Sequence, residues 1–271
     1  MMQKDLTFSL WLFHPIYLTP GMILFCYGIC NNMKHFPPWM HMVVQYSLQP
    51  TAQDTSYLKS VWETINYASC PRLYNFHMHT VASDGKLTPL ELVQQAIAIG
   101  LDGFAITDHH SVNSYRKAAR YLRELKSLEP TAKLPHLWTG VEITSQLLGV
   151  EVHILGYGFD PEHYALKSYL QGNKPVGQNA LAETVIESIH QAGGLAVLAH
   201  PERYHRSAEQ LIPLAAELGI DGVETYYCYS NPQVWRPSPG KTQTVLTLAE
   251  KYGLFSTCGT DTHGLSLLQR I

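Results

Sequence analysis

Two histidines alternate in the segment YNFHMHTVASDG, residues 74–85, and the polar turn Ser83-Asp84-Gly85 follows them. If the segment is a strand, His77 and His79 point to one side and Met78 to the other, because side chains alternate along a strand. Two imidazoles with carboxylates nearby bind Mn, Fe or Zn well, whereas Mg and Ca prefer shells of oxygen ligands. The pair alone is a weak signal, so its meaning depends on the rest of the chain.

Further metal-capable side chains recur at or near the ends of predicted strands. They are Asp108 and His109 in AITDHH, Glu142 in TGVEI, His153 in GVEVHILGYG, His200 in LAHP, Glu224 in IDGVETY, and Asp261 and His263 in GTDTH. One strand histidine is more often a core or surface residue than a ligand. The recurrence favours a shared site, and the set exceeds the four ligands of one tetrahedral zinc. Two or three divalent metal ions are therefore expected.

The elements that would position these side chains alternate along the chain. Strands are predicted at RLYNFHMH, LDGFAIT, LPHLWTGVEI, GVEVHILGYG, GLAVLAH, IDGVETY and LFSTCGT, mostly separated by amphipathic helices. In the first helix, Thr88 is the expected cap, Pro89 opens the first turn and Gly100 ends it. The alternation predicts an α/β fold, either a barrel or an open doubly wound sheet. The first strand-to-helix turn lacks GxGxxG and the sequence has no Walker motif, which counts against a nucleotide-cofactor fold and favours the barrel. In such barrels the chemistry takes place at the C-terminal ends of the strands.

The chain before the barrel reads as an N-terminal extension. Residues 1–50 form an apolar leader interrupted by His14, Pro15 and Pro20, and a disordered or wrongly included leader is favoured over membrane attachment. Met33 and Met42 would both be plausible starts. Residues 51–70 predict an amphipathic helix that packs on the main domain, residues 71–271, with Asp54 and Thr55 as candidate caps and an apolar face of Leu58, Val61, Trp62 and Ile65.

Composition narrows the class of protein. The net charge is −3 and there is no run of Lys or Arg, which argues against a long nucleic-acid-binding face while leaving room for one bound phosphate group. The five cysteines are scattered without CxxC pairs, which suits a reducing compartment, and a cytoplasmic location is expected. The oligomeric state cannot be read from the sequence.

Six segments, taken in order, resemble the PHP (polymerase and histidinol phosphatase) superfamily. They are FHMHTVASDGKLTPLELV, AITDHHSV, GVEI, VHILGYG, LAHPERY and GTDTH. The resemblance implies a distorted (β/α)7 barrel that holds up to three metal ions. It implies one ion held by His77, His79, Glu142 and Asp261; a second held by His153 and His200, with Glu142 bridging; and a third held by Asp84, His109 and His263.

Three further residues stand beside that ligand set. Asp108 is expected to orient a ligand by a hydrogen bond. His110 is as readily an exposed turn residue as a site residue. Glu224 lies outside the nine-ligand pattern, and its role is open.

Clustered divalent ions point to phosphoester hydrolysis by a metal-bridging hydroxide. Glu142 and Asp261 are the expected catalytic carboxylates, and His200 or His263 could protonate the leaving oxygen, although a metal-bound water could do so equally well. Arg203 and Arg206 are candidates for gripping the substrate phosphate, with Lys174 a weaker one. Manganese is the favoured metal, with iron, zinc or magnesium as alternatives.

The resemblance is greatest to small phosphoesterases that act on 3′,5′-nucleoside bisphosphates and short 5′-phosphorylated RNA. The expected partner is thus a small phosphorylated substrate or a short nucleic-acid end. The short segment 159–180, where those enzymes usually carry a longer insertion, leaves a phosphatase of small metabolites such as histidinol phosphate as the alternative. A PHP module without activity, serving as a scaffold, is the alternative from another class.

Overall fold

The strands of the protein lie in two sheets. In this computed structural model residues 53, 55–232 and 234–271 are described. Their strands are β1 (Tyr74–Asn75), β2 (Gly103–Ala105), β3 (His136–Trp138), β4 (Gly140–Leu147), β5 (Val150–Tyr157), β6 (Leu195–Leu198), β7 (Gly222–Tyr226) and β8 (Phe255–Cys258). The first sheet has the order β1-β2-β3 and the second β4-β5-β6-β7-β8.

Strand direction departs from the expected parallel pattern in the middle of the chain. Strand β5 is antiparallel to both β4 and β6, whereas the other neighbouring strands are parallel. The turn between β4 and β5 is Leu148-Gly149, and both residues have positive φ, at 51° and 72°. A two-residue turn of this kind can join only antiparallel strands. The predicted third strand is also divided, because the chain leaves the first sheet at Thr139 and enters the second.

The strand pairing of the described residues does not form the expected distorted (β/α)7 barrel as one continuous sheet. Two isolated bridges, Met78 to Thr262 and His109 to Glu142, connect the two sheets without a continuous ladder. The described residues therefore have a mixed α/β fold with eight strands in two sheets.

Helices follow most of the strands, close to the predicted positions. They are α1 (Thr55–Trp62), α2 (Pro89–Ile99), α3 (Asn113–Leu128), α4 (Ala182–Gln191), α5 (Ala208–Glu217) and α6 (Pro239–Tyr252). In α2 the prediction is confirmed: Thr88 is the N-cap, Pro89 opens the first turn and Gly100 ends the helix with φ 81°. The structure adds a reciprocal capping box between Thr88 and Glu91. The segment 159–180 contains two short 3₁₀ turns, Tyr164–Leu166 and Gly177–Ala180.

Helix α1 packs on the neighbouring strands through aromatic contacts. Trp62 is 2% exposed and makes edge-to-face contacts with Phe76 and Tyr157, at ring-centroid distances of 6.1 and 5.5 Å. A buried Trp of this kind contributes on the order of 3–5 kcal/mol relative to alanine. The capping candidate Asp54 lies outside the described residues.

The predicted leader, residues 1–50, also lies outside the described residues. The expectation that it does not attach to a membrane therefore stays a prediction. Among the residues that are described, no helix has the length and apolar character that crossing a bilayer requires.

Candidate metal centre

Four side chains from three parts of the chain meet in a buried cluster. His77 Nε2 and His79 Nε2 lie 3.1 Å apart, and each is 3.0 Å from Glu142 Oε2. Asp261 Oδ1 lies 3.4 Å from His77 Nε2 and 3.2 Å from His79 Nε2. All four side chains are at most 2% exposed. The structure thus brings together the four residues that the sequence assigned to one ion.

The spacing of this cluster fits ligands that share one cation. Ligand atoms about 2.0–2.1 Å from a tetrahedral ion lie about 3.3 Å from one another. The lone pairs of two unprotonated ring nitrogens repel at 3.1 Å, so the contact between His77 and His79 requires a proton or a cation between them. Two imidazoles with two carboxylates form a donor set for a divalent transition metal.

The two histidines follow β1 and are not part of it, so the predicted first strand is too long. Beyond Asn75 the backbone bonds to the segment after β8: His79 N donates to Thr262 O at 3.1 Å, and Asp261 N donates to His77 O at 2.8 Å. Met78 is fully buried in the hydrophobic core, while its two neighbours face the cluster. The expected alternation therefore holds, although the hydrogen-bond partners differ from those of a regular strand.

Glu142 also faces a second group of histidines with its other oxygen. His153 Nδ1 lies 2.7 Å and His200 Nε2 lies 3.3 Å from Glu142 Oε1. The carboxylate of Glu142 therefore stands between two sets of imidazoles, one set on each oxygen. This is the arrangement expected of a residue that bridges two ions.

A third group lies at the more exposed edge of the cluster. His263 Nε2 is 3.1 Å and His109 Nε2 is 3.7 Å from Asp84 Oδ2. His79 Nδ1 lies 3.4 Å from Asp84 Oδ1, which connects this group to the central cluster. The side chain of Asp84 is 52% exposed, so this position is the one most open to solvent. All nine predicted ligands are thus gathered at one site.

The electrostatics of the site follow from its carboxylates and imidazoles. Burial by itself raises the pKa of Glu142 and Asp261, but the nearby His77 and other imidazoles outweigh it and hold both values well below the usual range. Burial lowers the pKa of His79, yet hydrogen bonds to Asp261 and Glu142 raise it to about 9. Burial dominates for His200 and lowers its pKa. Protons on the imidazoles offset the buried carboxylates, and a divalent cation could replace them.

Strained backbone holds three residues of the site in place. His110, His200 and Asp261 have positive φ, at 53°, 27° and 52°. Non-glycine residues rarely adopt this region, and such outliers cluster at functional sites. Each backbone N–H is fixed by a hydrogen bond within the site: His110 to Glu142 O at 3.0 Å, His200 to Glu224 Oε2 at 2.9 Å, and Asp261 to His77 O.

Glu224 has a definite place in the structure that the sequence did not reveal. It is fully buried, and its Oε1 lies 3.0 Å from His77 Nδ1 while its Oε2 accepts from the backbone of His200. A carboxylate behind a ligand histidine fixes the orientation of the ring and leaves the other nitrogen free for a metal. Gly259 lies against the backbone and Cβ of His77, and a Cβ at residue 259 would be 2.1 Å from His77 Cβ.

Asp261 is anchored by three side chains, of which the sequence had singled out only one. Its Oδ2 accepts hydrogen bonds from Arg203 Nη1 at 2.9 Å, Arg270 Nε at 2.8 Å and Tyr227 OH at 2.6 Å. These bonds satisfy Oδ2 and turn Oδ1 toward His77 and His79. No sequence motif marked Tyr227 or Arg270, because their role depends on contacts between distant segments.

Asp108 and His110 lie beside the cluster in different ways. Asp108 accepts from Thr80 N at 2.7 Å and from Ser83 Oγ at 2.9 Å. Asp108 therefore fixes the loop that carries Asp84. In the described residues, none of the hydrogen bonds of its side chain goes to a predicted ligand side chain. His110 is 5% exposed, so its interpretation as an exposed turn residue is wrong; its Nε2 lies 3.1 Å from Thr144 Oγ1.

A cavity of about 290 Å³ opens beside the second group of ligands. It is lined by Val150, Glu151, His153, His200, Arg203, Tyr204 and His205. Arg203 thus contacts both Asp261 and this cavity. Arg206 is exposed and does not line the cavity. Lys174 forms an ion pair with Glu151, which places it at the edge of the same opening.

A sequence profile of the PHP domain matches residues 75–251. The chain belongs to the PHP family. It is therefore a metal-dependent phosphoesterase, a hydrolase of ester bonds. The profile match contains seven of the nine predicted ligands and ends before Asp261 and His263, which the structure nevertheless brings into the cluster.

Curated relatives match most of the described chain. The 5′-3′ exoribonuclease of Haemophilus influenzae is 26% identical over 260 residues, covering 70% of this chain and 89% of the relative. The 5′-3′ exoribonuclease Rnm of Escherichia coli is 25% identical, covering 73% of this chain and 86% of the relative. A 3′,5′-nucleoside bisphosphate phosphatase of Chromobacterium violaceum is 31% identical over 119 residues, covering 44% of this chain and 39% of the relative.

A solved structure supports the fold. A Bifidobacterium adolescentis protein assigned as a metal-dependent phosphoesterase superimposes with a TM-score of 0.58 at 24% identity, covering 72% of this chain and 88% of that protein.

The residues of this PHP site fit the metal ions that the family uses. Buried nitrogens His109 Nδ1 and His200 Nδ1 have no hydrogen-bond partner among the described residues. Within the described part of the chain, four compact groups could hold an ion: His77, His79, Glu142 and Asp261; His77, His200 and Glu224; His79, Asp84 and His109; and His109, Glu142 and His153. They overlap, as expected where neighbouring ions share ligands.

Proposed function

We propose that this PHP phosphoesterase hydrolyses the phosphate esters of short nucleic acids, with 5′-phosphorylated short RNA or a 3′,5′-bisphosphonucleoside as substrate. The observation that carries the proposal is the buried cluster of His77, His79, Glu142 and Asp261 beside a cavity lined by Arg203. The relatives named as exoribonucleases support the choice of RNA, since the aligned region covers most of their length.

In the proposed assignment, the nine ligands hold two or three ions. His77, His79, Glu142 and Asp261 hold the first, His153 and His200 with Glu142 hold the second, and Asp84, His109 and His263 form the third position. Manganese is the favoured metal, and iron, zinc and magnesium are alternatives. When bound, such ions supply Lewis acidity toward the phosphate oxygens and activate water for attack.

The chain's own residues orient the reaction. Arg203 binds a non-bridging oxygen of the substrate phosphate from the cavity while its Nη1 holds Asp261 in place. Water adds to phosphorus, the ester bond to the leaving oxygen breaks, and that oxygen departs with a proton. His200 Nε2 and His263 Nε2 each face a carboxylate of the cluster, which supports ligand roles for them more than proton donation.

We further propose residues 71–271 as the phosphoesterase domain, with 51–70 packed on it. Its two sheets would represent the distorted barrel of the family, with the isolated bridges marking the positions where the sheets approach each other.

Phosphate and nucleotide release tests the proposal. The Mn-loaded protein is assayed with a 5′-phosphorylated RNA, a 3′,5′-bisphosphonucleoside and histidinol phosphate, and EDTA and Asp261→Asn serve as controls. Release from a nucleotide substrate that both controls abolish supports the proposal. Release from histidinol phosphate alone would instead indicate a phosphatase of small metabolites. No release from any substrate by protein with bound metal would favour the scaffold alternative.

A further inference from the structure

A second cavity, of about 400 Å³, lies at the start of α6, outside the metal centre. Its lining comes from two short segments and consists of Tyr229, Ser230, Arg236, Pro237, Ser238, Pro239, Gly240 and Lys241. None of these residues is acidic, and two are cationic. The cavity therefore has the charge and size of a site for an anionic group.

The two cations of this cavity are not neutralised by carboxylates. Lys241 Nζ donates to the backbone oxygen of Glu202 at 3.1 Å and lies 4.5 Å from the ring centroid of Tyr229. Neither Lys241 nor Arg236 forms an ion pair with an acidic side chain of the described residues. Arg suits phosphate in particular, because its planar fork can donate two parallel hydrogen bonds.

Unsatisfied polar groups flank the lining segment on both sides. Trp235 and Thr242 are each 5% exposed, and Trp235 Nε1 and Thr242 Oγ1 are buried without a hydrogen-bond partner in the described part of the chain. The side chain of Ser238 does not cap α6, because its Oγ accepts from Tyr229 N at 3.0 Å. Unpaired buried groups such as Trp235 Nε1 and Thr242 Oγ1 are rare in folded proteins, and these two border the segment that lines the cavity without lining it themselves.

A short chain of contacts connects the cavity to the metal centre. Tyr227 donates to Asp261, and the rings of Tyr227 and Tyr229 lie 4.7 Å apart. Tyr229 OH accepts from the backbone of Glu202 at 3.3 Å, next to Arg203. One pair of aromatic rings, Tyr227 and Tyr229, thus separates Arg203 from the second cavity.

We infer that the cavity formed by Arg236 and Lys241 is a subsite for the phosphodiester backbone of the substrate strand. The ester that is hydrolysed lies at the metal cluster, and a following phosphodiester lies between Arg236 and Lys241. This inference rests on the proposed function. It makes a short oligonucleotide a better substrate than a single bisphosphonucleoside, which cannot reach both places.

The test compares two substrates and three variants. Values of kcat/KM are measured for a 5′-phosphorylated five-nucleotide RNA and for a 3′,5′-bisphosphonucleoside, in the wild type, Arg236→Ala, Lys241→Ala and Lys251→Ala. Lys251 is an exposed lysine near the C-terminal end of α6, the helix that begins next to the cavity and contains Lys241, and Lys251→Ala serves as the matched control. We expect Arg236→Ala and Lys241→Ala each to lower kcat/KM for the RNA about tenfold more than for the bisphosphonucleoside, mainly through KM.

A binding measurement separates this inference from the proposed function. Fluorescence anisotropy of a labelled RNA pentamer with hydrolysis-resistant phosphorothioate linkages is recorded with the Mn-loaded wild type, Arg236→Ala and Lys241→Ala. Weaker binding by both variants, with a shallower dependence on salt, supports the subsite even if the wild type hydrolyses neither substrate. Equal binding by all three proteins, or equal losses of kcat/KM on the two substrates, would overturn it.

Discussion

Glu224 Oε1 lies 3.0 Å from His77 Nδ1 at the back of the metal centre. Since an ionised carboxylate can only accept, Nδ1 carries a proton, which leaves Nε2 as the ring nitrogen that can bind a metal ion. The second oxygen of Glu224 accepts from the backbone of His200. One buried side chain therefore orients ligands of two neighbouring groups.

Glu224→Gln should weaken metal binding without unfolding the protein. Glutamine has one acceptor oxygen where glutamate has two, so either His77 or the His200 backbone loses its partner. We expect metal affinity to fall about 10- to 100-fold, the usual effect of removing the partner of a ligand histidine. Isothermal titration with manganese measures the affinity. Glu217 is exposed at the end of α5, and Glu217→Gln is the matched control. An affinity equal to that of the control would show that Glu224 has no orienting role.

Glu142→Gln should have a larger effect, because both oxygens of Glu142 face imidazoles. We expect loss of more than one bound ion and a fall in kcat greater than the roughly 100-fold upper effect of an orienting residue. Metal content by mass spectrometry and kcat at saturating manganese measure the two effects. A variant that keeps the full metal content would rule out a bridging position for Glu142.

Metal removal should lower thermal stability. An ion that binds only the folded state at 100 times its dissociation constant adds about 2.7 kcal/mol to the free energy of unfolding. For a domain of this size each kcal/mol shifts Tm by about 2–4 °C. Thermal unfolding with manganese and with EDTA measures the difference, which Asp261→Asn should reduce and Glu217→Gln should retain. Identical Tm values in manganese and EDTA for the wild type would contradict a buried metal site.

Arg203 and Arg206 should differ, although both follow His200 in the sequence. Arg203 contacts Asp261 and lines the cavity, whereas Arg206 is exposed and outside the lining. We expect Arg203→Ala to lower kcat/KM about 10- to 100-fold, the range of one or two hydrogen bonds to a charged group. Arg206→Ala should cause a loss at least about ten times smaller. Steady-state kinetics of both variants with the same substrate measure the two losses of kcat/KM. Equal losses would show that Arg206 also reaches the phosphate.

Gly259→Ala should disturb His77. A Cβ at this position would be 2.1 Å from His77 Cβ and 2.8 Å from His77 N, and neither atom can move away freely. We expect a loss of about 1–3 kcal/mol in the free energy of unfolding together with weaker metal binding. Chemical denaturation measures the loss. Gly240→Ala, where the added Cβ meets open space, is the control for stability, and comparable values for the two variants would refute the steric argument.

Local patterns in the sequence were sufficient to predict the helices, and the family resemblance was sufficient to predict which side chains lie together at one site. Thr88, Pro89 and Gly100 are local signals, and the helix they delimit forms as predicted. The nine ligand positions were predicted because their motifs occur in the family order, and the structure brings the nine side chains to one site.

Features that depend on distant contacts were not accessible from the sequence. The first strand stops at Asn75 because the chain beyond it bonds to Cys258 and Thr262, residues far away in sequence. The antiparallel direction of β5 depends on positive φ at Leu148, and a leucine does not indicate such a conformation in the sequence. The roles of Glu224, Tyr227 and Arg270 likewise arise only when separate segments come together.

Anomalous X-ray scattering from crystals grown with manganese tests the central claim most directly. The account predicts a peak within about 2.0–2.3 Å of His77 Nε2, His79 Nε2, Glu142 Oε2 and Asp261 Oδ1. A second peak is expected near Glu142 Oε1, His153 and His200. The absence of a peak among the first four atoms, in crystals of protein that hydrolyses its substrate with manganese, would contradict the assignment of this cluster as the metal centre.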